Sequence, residues 1–404
     1  MNIEMVDNKT FNRSYERTIK DVCQVIHHAK LEEKDLRPLT QVLYFAEEFP
    51  DYKILELDKE VFKCLKESGK LVFRGQKTDK AVLCTNNKTF DIKEAETSNS
   101  MLLVPNLKFA EDVPVELGDR DIEEKEIVGV YHEYFELKQI RPRLLPLRNF
   151  LKMKPYKGIE LEEEDQSGEG YFSTEKLLEV VQASEEELVD ALRDVQAFSV
   201  NDKWRILDND YHFRVLSQFL GLVESNSWPL DQVPIGESLS ELSALFPDYV
   251  LHHIFQIYLE PSGDYTDTGD ELFRLVDYKV CRFLGSYLLR PVEKFNLNDF
   301  LRTWQDSVPE GMITSLEQLG GLAVLTPDSR PPAIWLLDEE DLPEDFQERF
   351  TILFSAKESW TYDEIQPYIK RLATEKQSVN SILTKYSRTS NVNGVRYHSA
   401  RHGK

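Results

Sequence analysis

Cysteine is scarce in this chain of 404 residues. There are four, Cys23, Cys64, Cys84 and Cys281, widely spaced and without a C-x-x-C pair. That excludes a disulfide framework and the common zinc-finger spacings, and predicts a reducing compartment, cytosol or nucleus. No apolar run approaches the roughly 20 residues needed to cross a bilayer. Met1–Asn12 is polar and lacks an apolar stretch, so no secretory leader is expected. The chain has no G-x-G-x-x-G, H-E-x-x-H or G-x-S-x-G. Gly75-Gln76-Lys77-Thr78 resembles the end of a phosphate loop but lacks the Gly-Lys-Thr adjacency and the upstream glycine. The pairs His27–His28 and His252–His253 point to different faces of any helix or strand, and neither has a ligand partner at clear spacing. The acidic runs Glu160–Asp165 and Asp338–Asp341 lack the glycine and alternating oxygens of a calcium loop, and read as solvated loops. Catalysis, a metal and a cofactor are therefore not expected.

Positive charge is also in deficit, with 49 Lys and Arg against 72 Asp and Glu and a net charge of −23. The deficit is uneven. Gln366–Lys404 holds eight bases (Lys370, Arg371, Lys376, Lys385, Arg388, Arg396, Arg401, Lys404) and one acid, Glu375. An acidic body ending in a basic piece suggests either a polyanion-binding module or a solvated basic tail. A second basic stretch, Lys138–Lys157, contains Arg141, Arg143, Arg148, Lys152 and Lys154 and no acid. It extends a DNA path, contacts an acidic partner, or is a solvated face balanced by Glu160–Asp165.

Periodicity predicts a helix near Arg17–Leu31 and strands at Thr40–Ala46 and Tyr52–Leu57. A short helix follows at Lys59–Lys66. The runs Lys70–Arg74, Lys80–Cys84, Lys88–Ile92 and Met101–Val104 alternate with turn residues and indicate a small sheet or barrel. One helix cannot close such a sheet, and uncovered edges call for another chain.

Further along, three segments share one plan. Phe172, Phe295 and Trp360 each precede a capping residue (Ser173, Asn296, Thr361) and an amphipathic helix. A second helix follows in each, at Glu185–Val195, Thr314–Leu319 and Val379–Tyr386. Each unit ends in a hairpin, the last around Asn393-Gly394, a strong turn signal. Helix, turn, helix and hairpin make a winged helix. An extra helix precedes each unit (Arg143–Met153, Asp277–Leu289, Phe346–Phe354), and an additional helical stretch spans Leu239–Leu259. The fold expected is α+β: a segment 1–50 with a helix, a β-barrel-type assembly domain at 51–135, and winged helices at 136–228, 229–343 and 344–404.

Charge decides which winged helix can meet DNA. The second helix of the first carries five acids and one base, and that of the second is short and slightly acidic. Only the third suits phosphates, through Lys370, Arg371, Lys376, Lys385, Arg388, Arg396 and Arg401. Tyr386 and Tyr397 either stack on single-stranded bases or pack beneath the wing.

The segment "LVFRGQKTDKAVLCTNNKTFDIKEAETSNSMLLVP" (Leu71–Pro105) resembles the Dcc family, the "defective in sister chromatid cohesion" subunits of the alternative replication-factor-C clamp loader. Further similarity lies in "YFSTEKLLEVVQASEEEL" (Tyr171–Leu188), "KWRILDNDY" (Lys203–Tyr211), "SVPEGMITSLEQLGGLAVL" (Ser307–Leu325), "LPEDFQERFTILFSAKESWTYDEIQPYI" (Leu342–Ile369) and "LTKYSR" (Leu383–Arg388). Residues 1–50 match poorly. The resemblance implies a non-catalytic nuclear subunit whose β unit forms a joint barrel with a small cohesion subunit and the C-terminal tail of the large loader subunit. It further implies winged helices that bind single- and double-stranded DNA, docking on DNA polymerase epsilon, and a part in placing the PCNA sliding clamp on primed DNA. The assembly residues expected are Val72, Phe73, Val82, Leu83, Leu102 and Leu103, on apolar strand positions. The competing expectation is a pure interaction scaffold whose winged helices bind only protein.

Overall fold

The computed structural model describes residues 18–32, 40–67, 69–112, 122–164, 170–327, 329–373 and 377–401. Helices and short strands are mixed throughout, with fourteen α-helices and several small sheets among the described residues, none of the sheets closed into a barrel. The chain divides into two compact units: residues 1–62 with 92–138, and residues 63–91 with 139–404.

In the first unit the helix Ile19–Ala29 starts at a capping box. The Thr18 hydroxyl accepts from the Asp21 amide and the Asp21 carboxylate accepts from the Thr18 amide. None of its residues is buried, although Ile19, Val22 and Val25 are apolar. The strand Gln41–Phe45 pairs in parallel with Glu123–Ile127. The strand expected at Tyr52–Leu57 shrinks to a single bridge, Leu55 with Phe135. The runs Lys88–Ile92 and Met101–Val104 are one continuous strand, Thr89–Leu103. Ser98-Asn99-Ser100 has turn-like composition, but none of the three takes the positive φ that a tight turn would need. The strand begins in the second unit, where Thr89–Asp91 pair with Val82–Cys84. It continues in the first, where Gly129–Ile140 is its sheet neighbour.

The second unit repeats one element order four times. The first repeat has helices Leu145–Met153, Thr174–Val180 and Glu185–Asp194 and a hairpin of Phe198–Val200 and Lys203–Arg205. The second has helices Asn209–Ser225, Ile235–Leu242 and Asp248–Tyr258 and a hairpin of Leu259–Tyr265 and Glu271–Leu275. The third has helices Asp277–Leu289 and Leu297–Ser307, a 3-10 turn Leu316–Leu319, and a hairpin of Ala323–Thr326 and Ala333–Leu336. The fourth has helices Phe346–Ala356, Tyr362–Ile369 and Val379–Tyr386 and a hairpin of Ser387–Val392 and Val395–Ala400. In the last three repeats a short strand before the middle helix pairs with the final strand, which lies at the centre of a three-stranded sheet. In the first repeat the bridge from Phe172 to Trp204 makes the same connection.

The sequence predicts three such units and a bare helical stretch at Leu239–Leu259. That stretch is two helices broken near Pro247, and it belongs to the second repeat. Its signals are atypical. Pro234 and Pro247 occupy the cap positions and have no side-chain oxygen to accept from the helix. The hairpin turns through Thr266–Asp270, not through two residues.

Each repeat buries the apolar side of its helices. Leu147, Leu177 and Leu188 centre the first, and Phe350, Trp360, Ile365 and Ile382 the fourth. The second and third share a continuous core from Tyr156 to Ile334. Within it Trp304 is wholly buried and its indole donates to the Cys281 carbonyl at 2.8 Å. A Cβ on Gly285 would lie 2.9 Å from that indole, so glycine sets how closely the helices Asp277–Leu289 and Leu297–Ser307 approach.

Candidate nucleic-acid interface

The fourth repeat is held by a buried cation with a partner on each nitrogen. Arg349 is 1% exposed. It donates to the carbonyls of Pro343, Leu342 and Tyr368 at 2.6–2.9 Å and to the Glu339 carboxylate at 2.8 Å. Each guanidinium nitrogen has a partner, which is what makes a buried cation tolerable. Thr361 and Glu364 form the capping box of Tyr362–Ile369, and Ser378 caps Val379–Tyr386. Tyr386 stacks on Phe346 and Phe350, with ring centroids 5.0 and 5.5 Å apart, and therefore packs into the repeat.

Around that core the bases face water. Lys370, Lys385, Arg388, Arg396 and Arg401 are exposed, and among the described residues no carboxylate pairs with any of them. Arg401 also donates to the Thr384 carbonyl at 3.3 Å, at the C-terminal end of Val379–Tyr386. Arg371 is half-buried and lies 3.8 Å from Glu339. Lys376 lies outside the described residues. The register separates the hairpin bases. Arg388 lies opposite Ser399 and Arg396 opposite Asn391, which puts the two arginines on opposite faces.

The corresponding helices elsewhere are unsuited to a polyanion. Glu185–Asp194 opens with Glu185, Glu186 and Glu187. Asp248–Tyr258 buries Val250, Leu251, His253, Ile254, Phe255, Ile257 and Tyr258, which leaves little surface for a groove. The third repeat has only the 3-10 turn Leu316–Leu319 at that place.

The middle of the second basic stretch is engaged inside the chain, while Lys138, Arg141 and Lys157 are exposed. Arg148 is 8% exposed and donates to the Glu340 carbonyl at 2.7 Å. Lys152 is paired with Asp341, and the Leu144 amide donates to Glu344 at 3.3 Å. Arg143 donates to the Gln182 side chain at 2.5 Å. The Lys154 ammonium sits 4.3 Å over the Tyr171 ring. Arg141 is exposed at the surface beside Glu344. The acidic run Asp338–Asp341 is therefore no solvated loop: with Glu344 it clasps the first repeat to the fourth. Burial raises the pKa of Glu340 and of Glu344, against the opposing pull of Arg148. Glu160–Glu164 also departs from a solvated loop, and Asp165 lies outside the described residues. Glu162, on the short helix Ile159–Glu164, binds the 3%-exposed Arg205 through both oxygens at 2.5 and 2.6 Å.

The assembly residues divide by exposure. Phe73, Leu102 and Leu103 are exposed at 65%, 49% and 39%. Val72 is half-buried. Val82 and Leu83 are completely buried in the chain's own core, so neither can meet a partner without unfolding. Their strand, Val82–Cys84, is buried at every residue, and its neighbour Thr89, within 3.6 Å of the Cys84 sulfur, bonds the start of the helix Glu185–Asp194. Thr89 donates to Glu187 at 2.6 Å and accepts from the Ser184 amide at 3.1 Å. Sequence reasoning missed the exposed apolar residues of residues 1–50: Ile19, Val22 and Val25 on the first helix, and Leu43, Tyr44 and Phe45 on the first strand. The helical spacing of Ile19, Val22, Val25 and Ile26 was the available signal.

A model of the family described as "Sister chromatid cohesion protein Dcc1" matches residues 52–369. A sister chromatid cohesion protein from Xenopus tropicalis is 41% identical over 387 residues, covering 95% of this chain and 98% of its own length. The protein of the same name from Homo sapiens is 40% identical over 390 residues, with the same coverage. That of Saccharomyces cerevisiae is 22% identical over 378 residues, covering 86% of this chain and 96% of its own.

Proposed function

This chain belongs to the Dcc1 family of sister chromatid cohesion proteins, and from that premise we propose that it is a non-catalytic, nuclear subunit of the alternative replication-factor-C complex. In this reading it helps to place PCNA on primed DNA at replication forks. The four repeats are winged helices. The expected ranges 136–228 and 229–343 then hold three of them, with the helix Asn209–Ser225 opening the second, and 344–404 holds the last. That last winged helix contacts single- and double-stranded DNA through phosphates. The first unit joins a barrel with the small cohesion subunit and the tail of the large loader subunit. The remaining winged-helix surface docks on DNA polymerase epsilon.

One observation carries the DNA assignment. The fourth repeat alone pairs a well-formed second helix with exposed bases, and from Gln377 to Arg401 it has no Asp or Glu. A phosphate backbone meets attraction there and repulsion over the acidic remainder. The barrel reading draws on the first unit's uncovered apolar surface: the helix Ile19–Ala29 with nothing buried, and the strand Gln41–Phe45, which among the described residues pairs on one side only. Such an edge needs a cover.

Fluorescence anisotropy of the full chain with single- and double-stranded probes across a salt series tests the DNA assignment. Binding whose logarithm falls linearly with log salt, with little sequence preference, is the expected outcome. Absence of binding at low salt by a folded chain supports the competing reading, a scaffold whose winged helices meet only protein. The acidic helix of the first repeat and the buried helix of the second favour protein contacts for those two modules in either case.

A further inference from the structure

The tip of the last hairpin combines features that a phosphate-tracking wing does not need. Val392 and Val395 face each other in register across the turn Asn393-Gly394 and are 52% and 45% exposed. Neither belongs to the packed core of the fourth repeat. Both turn residues have positive φ, 52° and 83°, as the tight two-residue hairpin turn requires, so the two valines are presented on a short stiff support.

Strand alternation sorts the remaining side chains. Arg388, Ser390 and Tyr397 share the face of Val392 and Val395. On the other face the base of the hairpin is anchored: Ser387 and His398 are buried, and the Ser387 hydroxyl lies 3.0 Å from the His398 ring nitrogen. Arg396 stands on that face one residue from the tip and is exposed. The projecting end therefore carries an apolar pair with the Arg396 guanidinium beside it on the other face, and Arg388 stands on the valines' own face four residues down the strand, next to the base, within a segment that lacks carboxylates.

We propose that Val392 and Val395 form a wedge that packs against the terminal base pair where duplex DNA meets single-stranded DNA. The proposal rests on the DNA reading above and names its substrate. A continuous duplex offers phosphates and groove edges to a hairpin, but no open aromatic face. The last base pair at a junction does offer one, and apolar side chains are favourable against unstacked bases. Arg396 then stands beside the wedge, placed for a phosphate at the junction, and Arg388 lies roughly 13 Å further back along the hairpin, placed for a phosphate further from it. The charge of the wing selects DNA over an apolar protein surface as the occupant. A purely structural role, a cross-strand valine pair that stiffens the hairpin, makes a different prediction, because threonine serves that role as well.

The test compares the full wild-type chain with V392T/V395T and V392L/V395L. Three probes are used: a duplex closed by loops at both ends, a single strand, and a primer–template junction matched in phosphate number. Wild type and the leucine variant should favour the junction over the closed duplex by roughly fivefold or more. The threonine variant, with circular dichroism unchanged, should lose that preference and keep its affinity and salt slope on the closed duplex. A 2-aminopurine in the terminal pair should brighten with wild type and not with the threonine variant. Equal junction preference in wild type and V392T/V395T overturns the wedge and leaves the DNA assignment standing. No preference in wild type does the same. Failure of wild type to bind any probe overturns both.

Discussion

Buried polar side chains make sharp demands on this fold, and their effects are separable. Arg349 places its donors on Glu339 and three carbonyls. Replacing it with leucine leaves the Glu339 carboxylate and those carbonyls without that partner. The expected loss is on the order of 3–5 kcal/mol, read as a lower denaturation midpoint in urea. His212 gives a pH signature. Burial, with His253 and Arg290 nearby, lowers its pKa to about 3, and its ring bonds the Tyr258 hydroxyl at 2.9 Å. The folded state holds the ring neutral while the unfolded chain protonates it near its ordinary value. The stability it contributes is thus present above that value and is lost as pH falls towards the folded pKa. Between pH 7 and pH 5 wild type should lose about 2 kcal/mol relative to His212→Gln. Parallel unfolding curves for the two proteins across that range would refute the neutral buried ring.

At the scale of elements, much of the helical repeat is readable in the sequence. The cap positions Ser173, Asn296 and Thr361 each hold a side-chain oxygen that accepts from the helix they open. Asn393-Gly394 forms the turn expected of it. The second repeat is hidden because prolines occupy its caps. The long strand Thr89–Leu103 reads as two because polar residues on an exposed strand resemble a turn in composition. The fate of Val82 and Leu83 is not legible either, since alternation cannot say whether the cover of a strand comes from its own chain. That distinction is testable. Val82→Asp puts a charge in a site with no exposure and should unfold the chain. Leu103→Asp, at an exposed position, should leave the melting temperature nearly unchanged and block co-assembly with the proposed loader partners. Stoichiometric co-purification of Leu103→Asp would remove that strand from the interface. Gly285→Ala tests helix approach. The methyl meets an indole that cannot move without losing its bond to Cys281, which outweighs the gain in helix propensity, for a net loss of about 1–2 kcal/mol.

Across the whole molecule, two basic stretches of similar composition have different surroundings. The middle of Lys138–Lys157 is used internally, its Arg148 and Lys152 closed onto the acidic clasp Glu340–Asp341, while Lys138, Arg141 and Lys157 are exposed. The fourth repeat's bases face solvent. Sequence alone leaves the first stretch open between DNA, a partner and a solvated face, because the acids that engage it lie some 190 residues away in the chain. The most direct measurement sets two charge reversals of the full chain side by side, K385E/R388E/R396E and R148E/K152E, scoring DNA affinity against salt together with thermal stability. The first should abolish most DNA binding and flatten the salt dependence, by about 0.9 in slope for each phosphate no longer neutralised, with stability unchanged. The second should lower stability and leave the DNA salt slope intact. Full DNA affinity in K385E/R388E/R396E, or its disappearance in R148E/K152E while folded, would contradict the account.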